Sequence, residues 1–211
     1  MGRLLLAGAT GLVGQATLQL ALASPQVHQV VAPTRRPLPP HPKLLNPVVD
    51  FDTLPRDAEW WRVDAVACAL GTTIRAAGSQ DAFRRVDHDY PLMIARHAHA
   101  HGAQSFALVS AMGADAGSRI FYSRTKGEVE NALAGIGFAS LTLLRPGLLG
   151  GDRTQRRTGE RWALRVLGAL DPALPKRYRI VPAERVAQAL LDAAMDAVPG
   201  QHVIPSEHLL G

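Results

Sequence analysis

Cysteine is almost missing from this 211-residue chain, where Cys68 stands alone. A single thiol excludes an internal disulfide and fits a reducing compartment. No apolar run approaches the ~18 residues a transmembrane helix needs, so no membrane partner is expected. The opening Met1-Gly2-Arg3-Leu4-Leu5-Leu6 resembles a secretion signal, but cleavage there would delete a strand that a glycine turn follows directly. Position 6 is leucine where myristoylation of Gly2 wants Ser or Thr. Together these points predict a cytoplasmic protein. Lysine is scarce as well. Lys43, Lys126 and Lys176 are the only ones, and arginine carries nearly all of the formal net charge of +5. Arg153, Arg156, Arg157, Arg161 and Arg165 cluster but lack the series of aromatics of a nucleic-acid platform, so a solvated helix face is the better reading. There is no internal repeat and no linker. The length suits one α/β domain over residues 1–211 with one core.

The chain is organised around Leu4-Leu5-Leu6-Ala7-Gly8-Ala9-Thr10-Gly11-Leu12-Val13-Gly14. A short apolar run reads as a buried parallel strand, and a helical run from Gln15 to Ala23 follows. Between them Gly8 permits a tight turn, Gly11 lets backbone approach a ligand, and Gly14 lets helix and strand pack closely. The helix N-terminus then offers unpaired N–H groups to a pyrophosphate. Glycines are common, and a turn that binds nothing is the alternative. The position between strand and helix favours a dinucleotide site.

The second strand, Gln29 to Ala32, should end about 20 residues past the glycines in a carboxylate that bonds the ribose 2′-OH. None is there. Thr34-Arg35-Arg36 stands instead, and a guanidinium pairs with the 2′-phosphate that a carboxylate would repel. NADP(H) is therefore expected over NAD(H), with Arg35 the main contact and Arg36 second. A third strand is read at Pro47–Phe51, with Asp50 set to bond the adenine amino group and Phe51 to lie against the ring. The fourth, Val63–Leu70, stops at Gly71-Thr72-Thr73, whose hydroxyls could face the inner ribose. Ser79 is an N-cap candidate for a helix from Gln80. A longer helix to His101 tolerates Pro91 only in its first turn. His97, His99 and His101 do not share one face and no cysteine accompanies them, so no metal is expected.

Ser105 to Ser110 reads as the fifth strand, with Ser110 at its carboxyl end. Tyr122 and Lys126 follow at the start of a helix, one turn apart on one face. With so few tyrosines and lysines, chance gives that spacing only about 0.04 times in such a chain. The sixth strand runs from Phe138 to Leu144. Beyond it, helices are expected near Gly159–Leu167 and Glu184–Ala197, then a strand at His202–Ile204. Residues 147–211 are enough for a small substrate-side lid.

The Gly8-Gly11-Gly14 turn, Ser110, Tyr122-x-x-x-Lys126 and Leu144-Arg145-Pro146-Gly147 together resemble the short-chain dehydrogenase/reductase superfamily. Within it, the chain looks most like the atypical, Tat-interacting-protein-like group. Cys68-Ala69-Leu70-Gly71-Thr72-Thr73, Ser110 to Asp115, Tyr122 to Glu130 and Gly147 to Arg153 carry that likeness. It implies a Rossmann-type, doubly wound, mostly parallel sheet with helices on both faces. It carries the superfamily's Ser-Tyr-Lys roles onto Ser110, Tyr122 and Lys126. It sets Gly8, Ala9, Thr10, Gly11, Leu12, Val13, Gly14, Leu70, Gly71, Thr72 and Arg145 around the cofactor. The Ser-to-Tyr interval is shorter than in sugar-nucleotide epimerases.

The chemistry expected is hydride transfer between NADP(H) and a small carbonyl or alcohol, with Tyr122 as general acid/base. Two alternatives stand beside it: a non-catalytic NADP(H)-sensing regulator, and a nucleotide-sugar epimerase or dehydratase. A small-molecule substrate is the expected partner, with a homodimer left open.

Overall fold

Three consecutive leucines and an alanine have no polar atom to offer water, and both faces of the strand they form are covered. In the computed structural model, which describes residues 2–150 and 175–210, β1 (Gly2–Ala7) lies at the centre of the sheet and Leu4 to Ala7 are wholly buried. Alternate side chains point to opposite faces. Leu4 and Leu6 enter one apolar core and Leu5 and Ala7 the other.

The sheet has seven strands, all parallel, in the order β3-β2-β1-β4-β5-β6-β9. Its members are β2 (Val27–Val31), β3 (Leu44–Leu45), β4 (Ala65–Cys68), β5 (Ser105–Val109), β6 (Ser140–Arg145) and β9 (Gly200–Pro205). A separate parallel pair, β7 (Leu149–Gly150) and β8 (Val181–Pro182), follows β6. Helix α1 (Leu12–Ala23) packs on α6 (Ala183–Asp196) over one face of the main sheet. The core of the opposite face is closed by α4 (Tyr90–Ala100), to which α3 (Gln80–Arg84) leads, and by α5 (Phe121–Ala134). The chain is thus the doubly wound Rossmann-type fold. Its strand order reverses between β1 and β4, the point where open parallel sheets bind ligands outside their carboxyl ends.

Several boundaries differ from the sequence reading. Helix α1 begins at Leu12, three residues early, because Gly14 serves close packing inside the helix rather than the turn before it. A Cβ built on Gly14 would fall 1.9 Å from the Gly8 carbonyl oxygen. Strand β3 is Leu44–Leu45, not Pro47–Phe51. The Pro47–Val49 stretch keeps only an isolated bridge, Thr34 to Val48, before Asp50 caps a 3-10 turn over Phe51–Thr53. Ser79 caps α3 as expected, its hydroxyl accepting from Ala82 N–H at 3.1 Å. Pro91 is not at a free helix start. A π turn, Arg85–Asp89, joins α3 to α4 without a break, and Tyr90 N–H reaches back to the Arg85 carbonyl. That wider turn accommodates a proline whose ring a regular helix would crowd. The arginine cluster and the helix expected near 159–167 lie outside the described residues.

The glycine turn yields a paired prediction. Gly14→Ala should destabilise the chain by about 1–3 kcal/mol or more through overpacking. Gly11 is exposed and extended (φ −79°), and a Cβ there would meet only the Gly8 oxygen, at 3.4 Å. Gly11→Ala should therefore cost under about 1 kcal/mol of stability, the scale of an N-cap change. Thermal melts of the two variants would separate a glycine the fold requires from one left open for a ligand.

Candidate functional site

Two adjoining hollows lie at the carboxyl edge of the sheet, on the β1–β4 switch point. The larger, about 500 Å³, runs from the glycine turn (Gly8, Ala9, Thr10, Gly11) past Leu70, Gly71 and Thr72 to Arg35, Asp50 and Phe51. The smaller, about 120 Å³, is lined by Leu12 and Val13 on one side and by Ser110, Tyr122 and Lys126 on the other. Gly11 and Leu70 to Thr72 line both. The Arg35 end and the Tyr122 end therefore belong to one groove.

At its floor, Gly8 takes a left-handed φ of +87°, and a Cβ there would lie 2.7 Å from the Ala69 carbonyl. Only glycine lets the β1 turn pass so close to the end of β4. Gly11 caps α1 without a side chain, and the first turn of that helix holds no acidic residue. The leading N–H groups of a helix have no partner within it, and a first turn without acidic residues suits an anion.

Arg35 is held at the far end by its neighbours. Asn46 donates to the Ala32 carbonyl at 2.6 Å and to Thr34 Oγ1 at 2.8 Å, and accepts from Leu38 N–H at 2.7 Å. Thr34 in turn donates to the Arg36 carbonyl at 2.6 Å. This stapled loop leaves Arg35 exposed and lining the groove. Arg36 is exposed and lines neither hollow, and Gly14 is buried behind the turn. Arg145 also lines neither hollow. Its guanidinium grips Glu130, which with burial working against it raises the Arg145 pKa above its ordinary value. Thr73, a candidate for the inner ribose, uses its hydroxyl to cap α2 (Ile74–Ala77).

At the near end, Ser110 N–H donates to the Leu144 carbonyl at 2.7 Å, fixing the residue where β5 stops. Its hydroxyl is buried without a hydrogen-bond partner. The loop after it docks on α5. Asp115 N–H donates to the Ser123 carbonyl at 3.0 Å, and a Cβ on Gly127 would lie 2.1 Å from Ala116 N. Ser110 and the Tyr122–Lys126 turn are thereby locked in register. The Tyr122 ring lies 5.5 Å from the buried Phe83 ring.

The residue the sequence reading missed is Asp87, from the π turn. It is 1% exposed, lines the smaller hollow, and meets Lys126 Nζ at 2.8 Å with one oxygen. The other oxygen accepts from Thr72 N–H at 2.8 Å. Burial alone would lower the Lys126 pKa, but Asp87, with Tyr122 adding to it, outweighs burial and holds it above the usual lysine value. Cys68, beneath the pair, is pushed up to about 12 by burial and stays a thiol. A signal for Asp87 existed: it falls in the helical stripe Phe83, Pro91, Ile94 and Ala98, all buried.

The three histidines at the end of α4, with His101 as its C-cap, face different neighbours. His97 lies against Trp61, His99 against Phe138, and His101 Nδ1 against the His97 carbonyl. Among the described residues, no group of His, Cys, Asp and Glu could hold a metal ion. Nor is any helix among them long and apolar enough to cross a membrane.

No protein-family model matches the sequence. Among curated proteins, Protein HTATIP2 of Rattus norvegicus is 37% identical over 199 residues, spanning 92% of this chain and 81% of the rat protein. Protein fmp52, mitochondrial, of Emericella nidulans is 32% identical over 219 residues, spanning 98% of this chain and 93% of its own. Among solved structures, MoeE5 in complex with UDP-glucose and NAD superposes with a TM-score of 0.73 at 17% identity, over 96% of this chain and 75% of its own. A putative NAD-dependent epimerase/dehydratase from Bacillus halodurans gives 0.65 at 16%, over 100% and 99%. The expected cytoplasmic location is overturned by the FMP52 relatives, which are named as mitochondrial in Emericella nidulans, Candida albicans and Saccharomyces cerevisiae. A lone buried thiol, with no second cysteine to pair with, carries no address. With sequence identity above 30% over nearly the whole chain, the protein belongs to the HTATIP2/FMP52 family.

Proposed function

We propose that the protein is an NADP(H)-dependent oxidoreductase acting on a small carbonyl or alcohol, with Tyr122 as general acid/base. The observation that carries this reading is the shared groove, in which the buried, unpartnered Ser110 hydroxyl, Tyr122 and Lys126 adjoin a side-chain-free helix N-terminus. The residues fit a dinucleotide. Gly11 and the leading N–H groups of α1 suit its pyrophosphate, and Arg35 suits a 2′-phosphate. Asp50 and Phe51 line the adenine end. When bound, the nicotinamide supplies the reducing equivalent.

The chain's own groups do the rest. Lys126 would hold the nicotinamide ribose hydroxyls and, as a cation on the same helix face as the phenol, favours its ionised form. Tyr122 gives a proton to the carbonyl oxygen in reduction and takes one in oxidation. Ser110 holds that oxygen as negative charge develops on it. Residues 147–211 are assigned the substrate side, of which 151–174 lie outside the described residues.

A thermal-shift comparison of NADP with NAD tests the cofactor end. NADP should stabilise the chain more, and Arg35→Ser should reduce the NADP preference by about one to two decades, the worth of one charge-assisted contact of roughly 1.5–3 kcal/mol. Equal stabilisation by NAD and NADP would remove Arg35 from the reading. A nucleotide-sugar epimerase or dehydratase is the second reading, favoured by the MoeE5 likeness, and the complex of that protein holds UDP-glucose and NAD. It would take first place if UDP- or GDP-sugars raised the melting temperature and carbonyl compounds supported no NADPH oxidation. A regulator that only senses NADP(H) would bind the dinucleotide but be indifferent to loss of the Tyr122 hydroxyl.

A further inference from the structure

A tyrosine has an apolar body and a polar tip, and the tip of a half-buried one is normally left to water. Tyr90, the first residue of α4, keeps its ring against the core and lines the larger hollow together with Val86, four residues before it. Its ring centre lies 5.6 Å from that of Phe51. The hydroxyl is directed at a carboxylate 38 residues away along the chain, donating to Asp52 Oδ1 at 2.6 Å. Such a charge-assisted bond is short and strong for its kind. Burial, and then Asp52, push the Tyr90 pKa up to about 12, so the phenol remains the donor throughout the neutral range.

Asp52 belongs to the 3-10 turn Phe51–Thr53, which Asp50 caps by accepting from Asp52 N–H at 3.0 Å with Oδ1. The second oxygen of this exposed carboxylate takes no part in the cap, and Asp50 lines the larger hollow. An ionised carboxylate only accepts hydrogen bonds. It therefore suits a purine with an amino group at position 6 and repels one with a carbonyl there. A three-residue turn is a poor platform for that choice, since a 3-10 segment is short and its hydrogen-bond geometry loose. Helix α4 is a better one, because Leu92, Ile94, Ala95 and Ala98 anchor it in the core. The bond from Tyr90 to Asp52 ties the turn to that helix.

We propose that Tyr90 is a positioning residue for base recognition: by holding Asp52, its hydroxyl fixes the turn whose Asp50 carboxylate selects a 6-amino purine over a 6-oxo purine at the far end of the groove. The inference rests on the dinucleotide reading of the groove. It deepens that reading by assigning the choice of base to a clasp between α4 and the turn after Asp50.

The test compares NADP with deamino-NADP, in which a carbonyl replaces the adenine amino group, by calorimetric dissociation constants. The wild-type chain should prefer NADP by about tenfold or more. Tyr90→Phe keeps the ring beside Phe51 and removes only the hydroxyl. It should cut the preference about threefold to tenfold, the worth of one hydrogen bond. Asp52→Ala, which opens the clasp from the other side, should cut it to the same extent, and the double variant Tyr90→Phe/Asp52→Ala no further. Asp52→Asn keeps an acceptor for the phenol and should stay within about twofold of the wild-type preference. A clasp that merely stabilised the fold would weaken both ligands alike, and an unchanged ratio in Tyr90→Phe overturns the proposal. A loss in Tyr90→Phe that Asp52→Ala does not share also overturns it, as does a wild-type chain that binds the two ligands equally. In each of those cases NADP still binds and the dinucleotide reading stands. A wild-type chain that binds neither ligand overturns both.

Discussion

Tyr122→Phe should bind NADP(H) within about twofold of the wild-type chain and lose roughly 10²–10⁴-fold in NADPH-linked turnover of a small carbonyl compound. The substitution removes one oxygen and keeps the ring, so the packing against Phe83 at 5.5 Å is preserved. Lys126 keeps its Asp87 contact at 2.8 Å, and nothing at the glycine turn changes. What disappears is the only proton in the smaller hollow held on a phenol. An ordinary tyrosine, with a pKa near ~10, is a weak acid–base group in neutral solution, so its value depends on being placed. NADPH absorbance across a carbonyl panel measures the loss, and a fluorescence titration measures the binding. Turnover unchanged in the variant would take Tyr122 out of the chemistry.

Lys126→Met should destabilise the folded chain by about 3–5 kcal/mol, because it strands a buried carboxylate. The two side chains are 4% and 1% exposed, so water cannot take the place of the missing partner. For a chain of this size the loss corresponds to a drop on the order of 10 °C in Tm. Removing both charges together should recover most of it, since a buried pair contributes little net stability over apolar or neutral replacements. The dependence on pH follows from the direction of the Lys126 shift. Its pKa is raised in the folded chain, so the stabilisation is fully present below the unfolded lysine value of about 10.4 and fades only as pH rises through the folded one. The deficit of Lys126→Met should therefore be level between about pH 6 and about pH 9 in chemical denaturation. A deficit under about 1 kcal/mol would show that the pair is hydrated.

Features set by near neighbours along the chain are legible in the sequence alone. The apolar run into Gly8, the Ser79 cap and the Tyr122–Lys126 turn each need only a few consecutive residues, and each folds as its spacing implies. The third strand is not legible in this way, because pairing with β2 selects it. Leu44 and Leu45 match Val30 and Val31 in register, and no local pattern distinguishes them from Val48 and Val49. Asp87 shows in the sequence only as a polar position in a buried helical stripe. Its pairing is hidden for a similar reason, since its partner Lys126 is distant in sequence. Arg145 can be matched to a motif, but its hold on Glu130 needs the approach of α5 to β6, which no spacing within β6 reveals.

The π turn at Arg85–Asp89 amounts to one residue more than a regular helix would hold between Phe83 and Pro91. Each residue advances an α-helix by about 100°, so deleting one there would re-phase the segment and swing the carboxylate away from the groove. The counter-charge for Lys126 is in that sense encoded by chain length as much as by amino-acid type. A shortened helix could keep every aspartate in this segment and still leave the ammonium unmatched.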